Sequence, residues 1–269
     1  MSEEQWLQRY NELMSVMKTV GQHHLLVPAK IYGRAWPFMN LAFSSSGEDL
    51  WLRQYMKARF RSGRPGFYLD VGCNHPISTS NTYLFYVMGW HGVCVDANLQ
   101  FETEFKSIRP RDTFVNAAVS DLGQSLYFAA LNAPAGHKVS RVAMDPNDFP
   151  PNFTAPVEVP AMTLAEILRQ HVAQGTVIDF MTIDIEDSEL PALRSNDWSA
   201  YRPRVVFIEC GTGFEPLNPL AFPTISFLHG LGYQYRGFSN NNVLMTEPGF
   251  DERNGRIQKG LENTPAASG

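Results

Sequence analysis

The chain has 269 residues, of which 44% are hydrophobic, and carries a formal net charge of -5. That length supports one substantial core with room for a modest extra element, while the acidic balance and the lack of any Lys/Arg-rich run argue against a nucleic-acid partner. No segment approaches the roughly 18 consecutive apolar residues that span a bilayer, and Met1-Ser2-Glu3-Glu4-Gln5-Trp6 lacks the basic start and apolar run of a secretion signal, so a cytoplasmic location without a membrane partner is expected.

Residues 3 to 20 place Trp6, Leu13, Met17 and Val20 at helical spacing, which predicts a docking helix. Residues 25 to 46 mix Pro28, Gly33, Pro37 and Ser44-Ser45-Ser46 without periodicity, which predicts an irregular connector ending in the cap of the next helix. Gly47-Glu48-Asp49 then opens LWLRQYMKARF, an apolar-periodic helix closed by Ser62-Gly63 and Pro65. Residues 1–66 are therefore expected to form a helical N-terminal extension packed on the core.

From residue 67 short apolar runs alternate with helical patterns, the texture of repeated βα units. FYLDVG predicts the first strand, NTYLFYVMG a helix, GVCVDA the second strand, FETEFKSIR a helix, and TFVNAAVS with QSLYFAAL two further strands. Pro134, Pro146, Pro150, Pro151, Pro156 and Pro160 predict that residues 132–160 form a long surface excursion, either a variable loop or an acceptor-side lid carrying His137, Lys138 and Arg141. Thr163-Leu164-Ala165-Glu166 has capping-box spacing at the start of the helix TLAEILRQHVA. VIDFMTIDI reads as a long strand buried on both faces; SELPALRS, RVVFIEC, TISFLHGLG and the pair YQYRGF and NNVLMTE follow as helix, strand, helix and two strands. The domain is expected to span residues 67–250, with a polar tail over 251–269.

In an open parallel sheet, ligands bind beyond the C-terminal ends of the strands. Four predicted strands end in polar residues: Asp70-Val71-Gly72, Asp96-Ala97-Asn98, Asp184-Ile185-Glu186 and Glu209-Cys210-Gly211. Asp96 lies 26 residues after Asp70 (96 minus 70), near the interval at which a second-strand carboxylate accepts hydrogen bonds from a ribose diol. That spacing favours an adenosine-containing cofactor. Gly72-Cys73-Asn74-His75-Pro76 is not the GxGxxG that a pyrophosphate requires, which argues against a dinucleotide. Cys73, Cys94 and Cys210 form no CxxC pair and read as buried thiols.

Gly47-Glu48-Asp49, Leu69-Asp70-Val71-Gly72-Cys73-Asn74-His75-Pro76 with Ser80-Asn81-Thr82, Gly89-Trp90-His91-Gly92, and Asp179 to Glu186 with Glu189-Leu190 resemble, in order, the FkbM family of methyltransferases. The resemblance covers about residues 44 to 247. It departs from the family at Pro76 and at Asp187, where a glycine is common. It implies an α/β fold of the Rossmann-like class I methyltransferase type, its sheet mostly parallel with an antiparallel last strand and flanked by helices. It also implies S-adenosyl-L-methionine as donor and O-methylation of a hydroxyl on a sugar, glycan or secondary metabolite. On the same basis Asp70 and Gly72, with Asn74 beside them, would shape the methionine side, and Asp96 with Ala97 would hold the ribose. Asn116, Ala117 and Ala118 would line the adenine, Glu48 would close the pocket, and Asp184 would face the gap between donor and acceptor.

Methyl transfer to a hydroxyl needs in-line positioning and a proton acceptor. Asp184 is the first candidate by position, Glu209 on the adjacent strand the second, and His75 a third whose plainer reading is a hydrogen-bonded loop histidine. The remaining histidines, His23-His24, His91, His137, His171 and His229, lack metal-ligand spacing. Asp184, Glu186, Asp187 and Glu209 are compatible with a divalent ion, but alternation along a strand keeps them from converging, so no metal is expected. Trp36, Phe38, Phe43, Trp51 and the Tyr83-Phe85-Tyr86 group offer either stacking for a flat acceptor or core. The rival readings are an NAD-type oxidoreductase and a non-catalytic module that binds the donor or a partner. Methylation of nitrogen or of a carboxylate is open within the main reading.

Overall fold

A computed structural model describes residues 41–121, 125–131, 140–211, 214–239 and 241–250. The expected docking helix, the connector up to residue 40, Pro134, His137, Lys138 and the tail from residue 251 lie outside the described residues. Along the chain come α1 (Glu48–Tyr55), α2 (Lys57–Arg61), β1 (Phe67–Val71), α3 (Tyr83–Val87), β2 (His91–Asp96), α4 (Glu102–Ile108), β3 (Thr113–Asn116) and β4 (Ala118–Val119). Then follow β5 (Leu126–Ala130), β6 (Ser140–Ala143), β7 (Val157–Val159), β8 (Ala161–Met162), α5 (Leu164–His171), β9 (Phe180–Ile183), α6 (Glu189–Arg194), β10 (Val205–Glu209), α7 (Pro223–Gly230), β11 (Gln234–Ser239) and β12 (Asn242–Thr246).

The central sheet has seven strands in the order β11-β12-β10-β9-β1-β2-β3. β12 pairs antiparallel with both of its neighbours, and every other pairing in this sheet is parallel. Its middle strands are near-continuous apolar runs because helices cover both faces. Period-two alternation splits their side chains between two cores. Tyr68, Cys94, Phe180 and Phe207 face Leu52, Leu84, Phe85 and Phe105 on one side; Leu69, Val95, Met181 and Ile208 meet Leu164, Ile167, Leu193 and Leu228 on the other. Strand order reverses between β1, which continues to β2 and β3, and β9, which continues to β10, so a crevice opens there at the strands' C-terminal ends.

Several elements differ from the sequence reading. The segment 132–160 is not wholly irregular: β6 and β7 both pair antiparallel with β5 in a small separate sheet. The described prolines fall between or after those strands, where no ladder N–H is needed. TFVNAAVS breaks at Ala117, and β4 leaves the main sheet to pair with β8. The strand expected over VIDFMTIDI shortens to β9, because Asp179 turns its carboxylate to the N–H of Phe67 at 3.0 Å. The first helix breaks at Met56, and its N-cap is Gly47 (φ 88), while Ser44 of the serine run accepts the Asp49 N–H of the first turn at 3.2 Å. Asp49 organises this start with it, accepting from the Phe43 N–H at 2.7 Å and from the Ser44 hydroxyl at 2.8 Å. The Thr163 capping box is present, with both reciprocal bonds formed. Among the described residues no helix is long and apolar enough to cross a membrane.

Candidate active site

A cavity of about 610 Å³ opens at the strand-order reversal, within the size range of small-molecule sites. Its walls come from the ends of β1, β2 and β9, from Ala117 to Asp121, from Leu126 and Phe128 of β5, and from Arg141 to Met144 of β6 and its turn. Half of the Pro-rich segment's described strand pair thus supplies cavity wall.

Beyond β1 the chain turns sharply at Gly72 (φ 82), whose N–H donates to the Val95 carbonyl at 2.9 Å. Non-glycine residues with left-handed backbones cluster around this cavity: Asn74 (φ 49), Thr79 (φ 59), Glu186 (φ 54) and Asp187 (φ 72). Such conformations cost roughly 1–2 kcal/mol for an L-residue and concentrate at functional sites. Asp187 stands where the resembled family commonly has glycine, and its positive φ supplies the reason. The carboxylate of Glu189 holds this turn by accepting the Ile185 N–H at 2.9 Å.

Asp96 lines the cavity with both oxygens anchored, Oδ2 by the Asn74 N–H at 2.7 Å and Oδ1 by the Asn98 N–H at 2.8 Å. Burial pushes its carboxyl up to about 6 against those two donors. Asp70 also lines the cavity and accepts the Thr82 hydroxyl; burial lifts it to about 6 while the Arg109 charge opposes the rise. Gly72, Asn74, Ala97, Ala117 and Ala118 are in the wall as well. Asn116 is not: its amide donates to the carbonyls of Asp96 and Ala97, both at 3.0 Å, so it braces the β2 turn from behind. Glu48 is buried outside the wall, and its carboxylate accepts the Ser46 N–H at 2.7 Å.

The three proton-handling candidates separate clearly. Asp184 lines the cavity. The parallel register pairing Ile208 with Ile183 sets Glu209 beside it, where the two carboxyls hydrogen-bond. Burial, that bond and the Glu209 charge push Asp184 well above the usual carboxylate range. Glu209 itself is not in the wall. His75 is in the wall, but its Nδ1 accepts the N–H groups of Ile77 at 3.0 Å and Ser78 at 2.9 Å, while Nε2 faces Glu104 at 3.2 Å. Its Nδ1 faces two backbone N–H groups, the arrangement of the plainer reading in which His75 anchors the loop.

The sequence reading assigned no role to Asn81 and Thr182, both in the wall, and weighed Glu186 only as an ion ligand and Ser45 only as part of a capping run, though these line the cavity too. Burial and then the Asp184, Glu189 and Asp187 charges push Glu186 up to about 7. It also missed Arg109, fully buried below the cavity; lying in Arg109-Pro110-Arg111-Asp112, it carries the pattern of a solvated helix end. Phe43, Trp51, Phe85 and Tyr86 stand outside the wall and pack on other rings, Phe43 on Tyr83 at 4.8 Å and Trp51 on Phe207 at 5.6 Å. Among the described residues no group of three or more His, Cys, Asp or Glu is arranged to hold a metal ion.

Residues 70–235, more than half of the chain, match the family described as the Methyltransferase FkbM domain. No curated protein matches the chain.

Proposed function

The chain belongs to the FkbM methyltransferase family, and from that premise we propose that it transfers a methyl group from S-adenosyl-L-methionine to a hydroxyl of a sugar, glycan or secondary metabolite. The observation that carries this reading is the convergence of Asp70, Asp96 and Asp184 from three strand ends on one cavity. The strand order, with β12 alone reversed against the rest of the sheet, supports assignment to the Rossmann-like class I methyltransferases.

The wall suits an adenosine-bearing donor. Asp96, fixed by two backbone donors, keeps lone pairs for a ribose diol. Ala117, Ala118, Val119, Leu126 and Phe128 offer an apolar slot for a flat base. Gly72, where a β-carbon would overlap the Asp184 backbone, lets the ends of β1 and β9 close together at the cavity. Asp70 offers a negative charge to a cationic amino-acid end. When bound, the donor supplies a methyl on a sulfonium; its carbon–sulfur bond breaks as a carbon–oxygen bond forms, and sulfur keeps the electron pair.

The protein's part in chemistry falls to Asp184 and Glu209. Asp184 faces the cavity and shares a proton with Glu209 behind it. As the acceptor oxygen attacks, Asp184 takes its proton while passing its own to Glu209, so the pair gains one proton overall. A raised proton affinity suits this task, because a hydroxyl yields its proton only late.

Calorimetric titration of S-adenosylhomocysteine into the wild type and Asp96→Ala, with NAD and ATP as controls, tests the donor assignment. Binding of the homocysteine compound alone, weakened in the variant by ~1.5–3 kcal/mol, is the expected result; binding of NAD instead would overturn it.

A further inference from the structure

Arg109 follows α4, is fully buried, and lies outside the cavity wall. The rings of Phe105, Tyr86 and Tyr68 surround its guanidinium, with centroids 4.9, 5.5 and 5.7 Å away. Nε donates to Asp112 at 2.7 Å, and Nη1 donates to the Pro76 carbonyl and the Ser80 hydroxyl, both at 3.3 Å. Nη2 donates to the Tyr68 hydroxyl at 3.0 Å and to Thr82 Oγ1 at 2.9 Å.

A guanidinium carries five donors and no acceptor. Thr82 Oγ1 therefore accepts from Arg109, and its single proton is directed to its other strong partner, Asp70 Oδ2. The chain from Arg109 through Thr82 to Asp70 has one direction, and it favours a carboxylate at its end over a carboxylic acid. Asp112 is already satisfied by Arg109, by the Tyr68 hydroxyl at 2.9 Å and by the Gly92 N–H at 2.8 Å. Two carboxylates thus share one guanidinium, and ionised Asp70 leaves one negative charge in excess at the cavity floor. The titratable groups around Asp70 are Arg109 and Asp112 after α4, Asp96 of β2, and the buried thiols of Cys73 and Cys94.

We propose that Arg109, acting from outside the cavity through Thr82, is a positioning residue that holds Asp70 ionised and aimed at the cationic amino-acid end of the methyl donor. This rests on the donor assigned above. The contact to Pro76 lets the same guanidinium tie down the loop that carries Gly72 and Asn74.

The test titrates S-adenosylhomocysteine, and separately methylthioadenosine, which lacks the amino-acid end, into the wild type, Thr82→Val and Arg109→Lys across about pH 5 to 8. Asp70 is followed in the ligand-free proteins by carbon NMR of its carboxyl. Thr82→Val is expected to weaken S-adenosylhomocysteine about tenfold at neutral pH, to leave methylthioadenosine unchanged, and to move the Asp70 titration to higher pH. Arg109→Lys, which keeps the charge but loses the fork, is expected to show an intermediate shift. Equal weakening of both ligands would mean a purely structural role and would overturn the proposal, as would an Asp70 titration that is the same in wild type and Thr82→Val. A wild type that binds neither ligand would overturn the donor reading itself, and the NMR titration would still decide whether Arg109 and Thr82 govern Asp70.

Discussion

Gly72 and Asp184 touch backbone to backbone: a β-carbon added to Gly72 would overlap the Asp184 carbonyl oxygen and come within 3.0 Å of Ile185 Cγ2. This contact closes the ends of β1 and β9 against each other and brings the strand-end carboxylates into one cavity. Gly72→Ala combines a left-handed backbone with that overlap, so it should lower stability by more than about 2 kcal/mol and abolish S-adenosylhomocysteine binding. Chemical denaturation and calorimetry measure the two effects; wild-type stability in the variant would contradict the described packing.

Asp184→Asn should reduce methyl transfer by about 10²- to 10⁴-fold with little change in donor affinity, since the amide occupies the same space without accepting a proton. Glu209→Gln removes a negative charge that raises Asp184. The acid limb of its pH–rate profile should therefore move to lower pH, with a smaller loss of rate. Single-turnover rates across pH separate the two variants; identical profiles for wild type and Glu209→Gln would break the proposed relay.

Donor affinity should weaken as pH falls below about 6, where Asp70 and Asp96 take up protons. Near pH 6, binding should release protons, detectable by calorimetry in buffers of different ionisation heat. The stability sign is the opposite. Both folded values lie above the usual 3.8, so the stability that these groups contribute is fully present below 3.8 and lost as pH rises through about 6. Bound donor restores it above that range. An affinity independent of pH would exclude both carboxylates from the contact.

Thr163→Ala should cost about 1 kcal/mol, because the Glu166 N–H at 3.1 Å loses its side-chain partner at the start of a helix that buries Leu164, Ile167 and Leu168. Urea denaturation of both proteins tests this, and equal midpoints would show that the box contributes nothing.

Local information in the sequence was enough for β1, β2, β3, β5 and β9 to β12 with the helices between them, the Thr163 cap, and the strand ends bearing Asp70, Asp96 and Asp184. Apolar periodicity, caps and breakers act over a few residues, so they are legible without a fold. Relationships between distant segments were not. The pairing of the Asp184 and Glu209 carboxyls depends on the register of β9 against β10, and the burial of Arg109 depends on β1, β2 and the loop after β1 closing around it. Likewise, residues 140–143 and 157–159 became strands only because β5 supplied a partner that their proline-rich setting concealed. In each case a side chain's role was set by neighbours far away in the chain, and only the tertiary structure brings them together.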